Sequence, residues 1–410
     1  MKNYYVYFTI LLYFNVYCQK TILNIDLYDG SAYLTSMNQS NDLVLNTSRL
    51  IFQEIDFNIL SKKQKAVFTS TSMIFTALLG QPMTHEEGHR SVLTELGIGS
   101  INKPFVDKYG VAKVTGVSNA TLLSLRNTDL KNYIRLHTAG LESDFAYLKK
   151  QDALFNFNEE EHDLIWGDYI TRKLGIQLYF LSALFKQKVN INELDKVEID
   201  RDIVGHDIYG MVRHLHRPNM EFYRYTTYDD LLSEEKKFAQ RIAYTSLLNF
   251  INPAIWQQKN FNLSKNIKAN FSVNYSLTPF GDFVEQNFYL NINNKYKLNP
   301  YFRQYFNKSY AFFAGGFNLQ NLPIKDDKFL LNASLDYWNQ PRNLNFKTKE
   351  SDLGFGIKSS LGIRFSSWNE KKKQIYFNIG MAYKTAGFIP ERPSLNQDFR
   401  INMGLILSTN

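Results

Sequence analysis

The stretch LGFGIKSSLGIRF at residues 353–365 alternates between apolar side chains and small or polar ones. The apolar set comprises Leu353, Phe355, Ile357, Leu361, Ile363 and Phe365, and the other set comprises Gly354, Gly356, Lys358, Ser360, Gly362 and Arg364. Because successive side chains of a β-strand point to opposite faces, this period of two predicts a strand with one apolar face and one polar face.

The same period recurs in residues 268–277, 329–337, 375–383 and 399–407. Strands of about ten residues with one apolar face, one polar face and aromatic ends are typical of outer-membrane barrels. A soluble antiparallel sandwich also alternates, but its strands are usually shorter, at about five or six residues. We therefore predict an outer-membrane-type antiparallel β-barrel of about eight strands over residues 265–410, to which a strand near residues 21–27 contributes.

Residues 61–256 show mostly helical spacing of apolar side chains, so the fold class is predicted to be α+β. Ser61 is placed to cap a helix over residues 62–79, and Pro82 suits the first turn of a second helix, since its missing N–H is unsatisfied there anyway. Further helices are predicted over residues 128–150, 160–186, 201–215 and 233–251.

The N-terminus resembles a secretory signal. Lys2 precedes an apolar run over residues 4–16, and Val16-Tyr17-Cys18 follows it, so residues 1–18 are predicted to be removed, with 19–60 as an N-terminal segment. Cys18 is the only cysteine of the 410 residues, so cleavage after it would exclude a thiol nucleophile and disulfides. The net charge of +8 is dispersed and predicts no nucleic-acid partner.

One motif of the helical region carries chemistry. His85-Glu86-Glu87-Gly88-His89 reads H-E-x-x-H, and residues four apart on a helix lie on one face, so both imidazoles can converge on one ion. Glu86 lies beside that face, where it could deprotonate a metal-bound water.

This motif resembles the zinc helix of the zincin metallopeptidases, over that one helix. The resemblance implies that His85 and His89 bind Zn2+ and that Glu86 is the general base. A third His does not follow within the next turns, so a gluzincin-like glutamate is expected, and Glu142 is our choice. Asp144 is expected to orient a ligating imidazole. Glu142 as an ordinary helix carboxylate stays open.

His206 is a candidate hydrogen-bond donor to the tetrahedral oxyanion of peptide hydrolysis. An ordinary structural role at the start of a helix is equally compatible with its position. Together these features predict an exported zinc metallopeptidase of a Gram-negative outer membrane, with a peptide or protein substrate and outer-membrane lipid as partners. Two alternatives stay open: a non-catalytic outer-membrane channel or assembly protein with a helical plug, and a soluble periplasmic protein with a β-sandwich tail.

Overall fold

The computed structural model describes residues 22–29, 37–54, 61–105, 112–157, 159, 162–186, 197–256, 260–325, 327–368 and 373–409. The predicted signal peptide, residues 1–18, lies outside the described residues. The fold is α+β, with helices in the first part of the chain and an antiparallel sheet in the last part.

Seven α-helices lie within the described residues: α1 (Gln39–Glu54), α2 (Lys62–Glu95), α3 (Asn119–Thr128), α4 (Leu130–Phe157), α5 (His162–Ser182), α6 (Asp207–His216) and α7 (Ser233–Thr245). Short 3-10 helices include Glu198–Asp200, Ser246–Phe250 and Pro253–Trp256. The four helices predicted from residue 128 onward are present, but α4 ends seven residues later, α6 begins six residues later and α7 ends six residues earlier than expected. Helices α1 and α3 were not predicted.

The predicted break at Pro82 is wrong. Ser61 caps α2 as expected, with Gln64 completing the capping box, but the helix then continues through Pro82 to Glu95. Proline removes one backbone hydrogen bond from a helix and strains the preceding turn. Tertiary packing offsets this cost here, because α4 and α5 lie against α2 on both sides of Pro82.

In the part of the chain that the structure describes, ten strands form one antiparallel sheet in the order β1-β12-β11-β10-β9-β8-β7-β6-β5-β4. Their bounds are β1 (Ile22–Asp29), β4 (Phe261–Ser264), β5 (Ile267–Thr278), β6 (Gly281–Ile292), β7 (Tyr296–Phe306), β8 (Ala311–Ile324), β9 (Phe329–Pro341), β10 (Ser351–Trp368), β11 (Lys373–Lys384) and β12 (Asp398–Thr409). Strands β2 (Ile101–Lys103) and β3 (Lys113–Thr115) form a separate pair.

Eight of these strands, β5–β12, lie within residues 265–410, where about eight were expected, and β1 lies near residues 21–27, where a contributing strand was expected; β4 was not predicted. The short strand β4 carries no visible alternation, and β1 joins from the other end of the chain by pairing with β12. Within the described residues β1 and β4 are the two edge strands of the sheet, and they do not pair with each other.

The sheet exposes its apolar face and buries its polar face, which is the reverse of the arrangement in a water-soluble protein. Apolar side chains of the outer face are exposed, among them Leu353 at 66% and Phe365 at 62%, whereas Glu285, Arg303 and Asn378 of the inner face are at most 3% exposed. Helix α4 covers this polar face: Lys149 forms an ion pair with Glu285, and Asn274 of β5 donates to Asp152.

Helix α4 is the centre of the fold. Nearly every side chain from Asn132 to Leu148 is buried, because α4 lies between α2, α5 and α6 on one side and the sheet on the other. Among the described residues, no helix is both long enough and apolar enough to cross a membrane.

Candidate metal centre

The centre is built where α2 and α4 approach each other closely. Two glycines make this approach possible: a Cβ added at Gly88 would lie 2.1 Å from the carbonyl oxygen of Ala139, and one added at Gly140 would lie 2.4 Å from Nε2 of His85. Any side chain at either position would separate the helices or displace the imidazole. The ring centroids of His85 and His89 lie 5.1 Å apart, on the side of α2 that faces α4.

The Nδ1 atoms of both imidazoles have acceptor partners on α4. Nδ1 of His85 lies 2.8 Å from Oδ2 of Asp144, and Nδ1 of His89 lies 2.7 Å from the carbonyl oxygen of Leu136. A neutral imidazole that donates from Nδ1 presents a lone pair at Nε2. The partners therefore favour the tautomer in which both Nε2 atoms are free to bind a cation. The expected contact between Asp144 and a motif imidazole is present.

Asp207, the first residue of α6, faces both Nε2 atoms. Its Oδ2 atom lies 3.1 Å from Nε2 of His85, and its Oδ1 atom lies 3.5 Å from Nε2 of His89. One ligand atom from each of the three residues lies within 4.8 Å of the others. Ligand atoms about 2.0–2.1 Å from Zn2+ at tetrahedral angles are about 3.3 Å apart, so the spacing fits a metal ion.

The choice of Glu142 as third ligand needs correction. Its carboxylate is fully buried and accepts two hydrogen bonds from the guanidinium of Arg135, at 2.6 and 3.1 Å, and one from the backbone N–H of Glu391 at 3.2 Å. Arg135 in turn donates to the carbonyl oxygens of Arg392 and Pro393, each at 2.6 Å. Glu142 thus fixes α4 to the segment between β11 and β12, and Asp207 provides the acidic side chain beside the imidazoles.

In the sequence, Asp207 lies within the helix predicted over residues 201–215 and carries no mark of a metal ligand. Aspartate in the first turn of a helix is ordinary, because it complements the positive end of the helix dipole. No motif distinguished Asp207 from other acidic residues, so only its packing against the two imidazoles reveals it.

Negative charge is in excess around the two imidazoles. Glu86 is 8% exposed, and burial, followed by repulsion from Asp202 and Asp207, raises its pKa well above the ordinary value. Burial also raises the pKa of Asp202 to about 6. For Asp207, burial alone would raise the pKa, but the neighbouring imidazoles of His89 and His85 hold it below the ordinary value. A cation bound between the imidazoles would offset this concentration of carboxylates.

Only one of the three candidate ligands is partly exposed to solvent. The side chain of His85 is 15% exposed, whereas those of His89 and Asp207 are at most 2% exposed. Burial would lower the pKa of His85, but its hydrogen bonds to Asp144 and Asp207 raise it well above the ordinary value. A proton on Nε2 and a metal ion therefore compete for the same place, and solvent reaches that place on the His85 side.

His206 precedes Asp207 at the N-cap of α6. Its Nε2 atom lies 2.9 Å from Oγ of Ser182, and its ring stacks on Tyr209 at a centroid distance of 3.7 Å. Among the described residues its buried Nδ1 atom has no hydrogen-bond partner. Tyr179, which no sequence motif marked, accepts the backbone N–H of Asp207 at 3.2 Å and packs against the ring of His85.

A second group of buried polar rings adjoins the centre. His137 on α4 and His214 on α6 have ring centroids 5.5 Å apart, and Tyr133 packs edge-on against both. Burial lowers the pKa of His137 to about 4 and that of His214 to about 2, so both imidazoles are neutral at pH 7. Gly210 lets α6 pass His137, since a Cβ there would lie 2.3 Å from its Nδ1.

No known protein family, curated protein or solved structure matches this chain. Its function is therefore inferred from the side chains of the centre and from their surroundings.

Proposed function

We propose that the protein is a zinc-dependent metallopeptidase in which His85, His89 and Asp207 hold the metal and Glu86 is the general base. The observation that carries this proposal is the convergence of two Nε2 atoms and one carboxylate at spacings of 3.1 and 3.5 Å. Glu86 follows the first ligand directly on the same helix.

The donor set favours zinc over harder cations. Catalytic zinc sites use three protein ligands drawn from imidazole and carboxylate and keep one position open. Magnesium and calcium prefer oxygen ligands, and these two imidazoles would not suit them.

The protein's own residues have distinct roles in peptide hydrolysis. Zinc, when bound, supplies Lewis acidity and lowers the pKa of a bound water. The buried carboxylate of Glu86 takes a proton in the attacking step and returns it to the leaving amine, a role that its raised pKa suits. His206 is the candidate donor to the oxyanion, through the Nε2–H that meets Oγ of Ser182 at 2.9 Å.

We also propose that the sheet is a barrel seated in the outer membrane of a Gram-negative envelope. Support comes from the apolar outer face, where Phe355, Phe377 and Phe399 are between 40% and 58% exposed, and from the polar inner face beneath the helices. Lipid chains would cover these apolar side chains, whose exposure to water is unfavourable. A signal peptide at residues 1–18 would direct export.

One observation favours the second candidate, a channel or assembly protein with a helical plug. A cavity of about 660 Å³ lies between α4 and the inner face of the sheet, lined by charged side chains such as Lys149, Arg303 and Asp336. Under this alternative Glu86 would be dispensable, and ion conductance or partner binding would not change when it is replaced.

The metal and the base are tested on one set of purified proteins. Zinc should be present at one ion per chain and be lost in His85→Ala. Glu86→Gln should keep zinc and lose peptide hydrolysis by about 10²- to 10⁴-fold. Glu87→Gln is the matched control, because Glu87 is also buried on α2 but pairs with Arg90.

Absence of zinc from the wild-type protein, or its retention in His85→Ala, would overturn the metal site. Hydrolysis that survives in Glu86→Gln would rule out Glu86 as the base, whereas a wild-type protein without hydrolysis would favour the second candidate. Recovery of the protein from the soluble periplasm without detergent would contradict the membrane barrel.

A further inference from the structure

The edge of the sheet at β5 is completed by helical chain. Strand β4 pairs with the first residues of β5 only. Further along β5, the backbone N–H of Val273 donates to the carbonyl oxygen of Ile251 at 3.0 Å, and that of Tyr275 donates to Oδ1 of Asn249 at 2.7 Å. The 3-10 helix Ser246–Phe250 and Ile251 thus follow β5 where β4 has ended.

Helix α5 lies against this segment and also reaches β5. Gln177 donates to Oγ of Ser246 at 2.8 Å, and Lys173 donates to the carbonyl oxygen of Asn249 at 3.4 Å. Lys173 also reaches Oδ1 of Asn274 on β5 at 2.8 Å. The middle of α5 therefore stands level with the second half of β5.

A continuous series of helix contacts leads from α5 to the opposite edge of the sheet. Helix α2 packs tightly on α5, where a Cβ added at Gly167 would lie 2.2 Å from the carbonyl oxygen of Ser70. Helix α1 packs on α2, on α5 and on the edge strand β1. Helices α1, α2 and α5 and residues 246–251 together form what we name the helical wall, which stands between the two edges of the sheet.

The middle of helix α5 has its charged side chains inside and apolar side chains outside. Asp168, Arg172 and Lys173 are at most 3% exposed, whereas Leu174 and Leu178 are 47% and 67% exposed. In water the reverse is expected of a surface helix. This inversion is the same as that of the sheet.

The outward face of α2 is apolar over the same span. Residues 66–84 contain no Asp, Glu, Lys or Arg. Phe75, Leu78 and Leu79 are 64%, 56% and 63% exposed. Leu247 and Ile251, each 45% exposed, extend this surface to β5.

We propose that acyl chains of the bilayer cover the helical wall, so that helices between the two edges of the sheet complete the barrel proposed above, and helices and strands together form its lipid-facing surface. The proposal rests on the membrane placement proposed above. Lipid is the occupant favoured by two observations: the exposed apolar side chains of α2 and α5 lie between two edges of an equally apolar sheet face, and the three charged side chains in the middle of α5, Asp168, Arg172 and Lys173, are buried away from them. An apolar patch of this extent is not left in water.

Spin labels at single cysteines test this in the full-length protein, on a Cys18→Ser background, in vesicles of phosphatidylethanolamine and phosphatidylglycerol. Leu78→Cys and Leu178→Cys report on the helical wall, Phe377→Cys on the outer face of the sheet, and Glu234→Cys, at an exposed position of α7, on water. Oxygen, which partitions into lipid, should relax the wall and sheet labels more strongly than a water-soluble nickel chelate, and Glu234→Cys should show the reverse. Thermal unfolding at the wild-type temperature verifies that each variant is folded.

Wall labels that nickel relaxes, or that neither reagent reaches, would overturn the proposal, since they would show water or a protein partner at the wall. If the sheet label stays in lipid, the membrane placement survives that result. Nickel access at the sheet label as well would show that the membrane placement itself fails, and the proposal would fail with it.

Discussion

Nδ1 of His85 lies 2.8 Å from a carboxylate oxygen of Asp144, 59 residues further along the chain. The corresponding atom of His89 is held by the backbone carbonyl of Leu136. A side chain supports one proposed ligand and the backbone supports the other. Only the support of His85 can therefore be changed by substitution without removing a ligand.

Asp144→Asn should weaken zinc binding by about 10- to 100-fold, because the amide can accept the hydrogen bond of His85 but lacks the charge that strengthens the imidazole as a ligand. Competition with a fluorescent chelator measures the affinity. Asp163→Asn, at a half-exposed position of α5, is the matched control and should bind zinc as the wild type does. Equal affinity of the Asp144 and Asp163 variants would contradict the role of Asp144.

Asp207→Ala and Glu142→Gln separate the observed third carboxylate from the one expected from sequence. Asp207→Ala should lose stoichiometric zinc, since only two ligands remain. Glu142→Gln should keep zinc but unfold at a lower temperature, because breaking a buried ion pair costs about 3–5 kcal/mol. Metal analysis and thermal unfolding in detergent distinguish the two. Loss of zinc from the glutamine variant alone would restore Glu142 as the ligand.

Gly140→Ala should reduce zinc affinity by about tenfold or more, as other changes that turn a ligating imidazole do. The added methyl group would lie 2.4 Å from Nε2 of His85, so the ring or the helix must move. Gly99→Ala adds the same group where nothing lies within 4 Å and should leave affinity unchanged. The prediction fails if both alanine variants bind zinc equally well.

Acid should destabilise the protein partly through His214. Burial lowers its pKa to about 2, so between pH 6.5 and that value the unfolded chain binds a proton that the folded chain does not. The stability that depends on this group is thus present above pH 6.5 and is lost as pH falls. Between pH 6.5 and 4.5 the loss is about 2 kcal/mol, since half of the unfolded chains already carry the proton at pH 6.5.

His214→Gln should therefore lose less thermal stability than the wild type between pH 6.5 and 4.5. The comparison uses metal-free protein, so that release of zinc does not contribute. His162→Gln changes an imidazole that is 42% exposed and should follow the wild-type curve. If His214→Gln is as acid-sensitive as the wild type, the imidazole of His214 is not held neutral in the wild-type protein.

The α+β class, the helix through His85 and the long strands could be predicted because each depends on a repeat within one segment. Residues four apart share a helix face wherever the helix lies, and alternate residues share a strand face. The ten-strand order could not be predicted, because β1 and β12 meet from opposite ends of the chain. The uninterrupted α2 could not be predicted either, since α4 and α5 hold Pro82 within it.

The sequence by itself determined the local half of the candidate centre, His85, Glu86 and His89, because a spacing of four on a helix brings the two imidazoles together. Only the tertiary structure decided which acidic residue is the third candidate ligand. Glu142 and Asp207 are both acidic residues of helices, and what separates them is the neighbour each one meets: the guanidinium of Arg135 for Glu142 and two imidazoles for Asp207. Such neighbours are set by the packing of α4 and α6 against α2, which no spacing within one segment encodes.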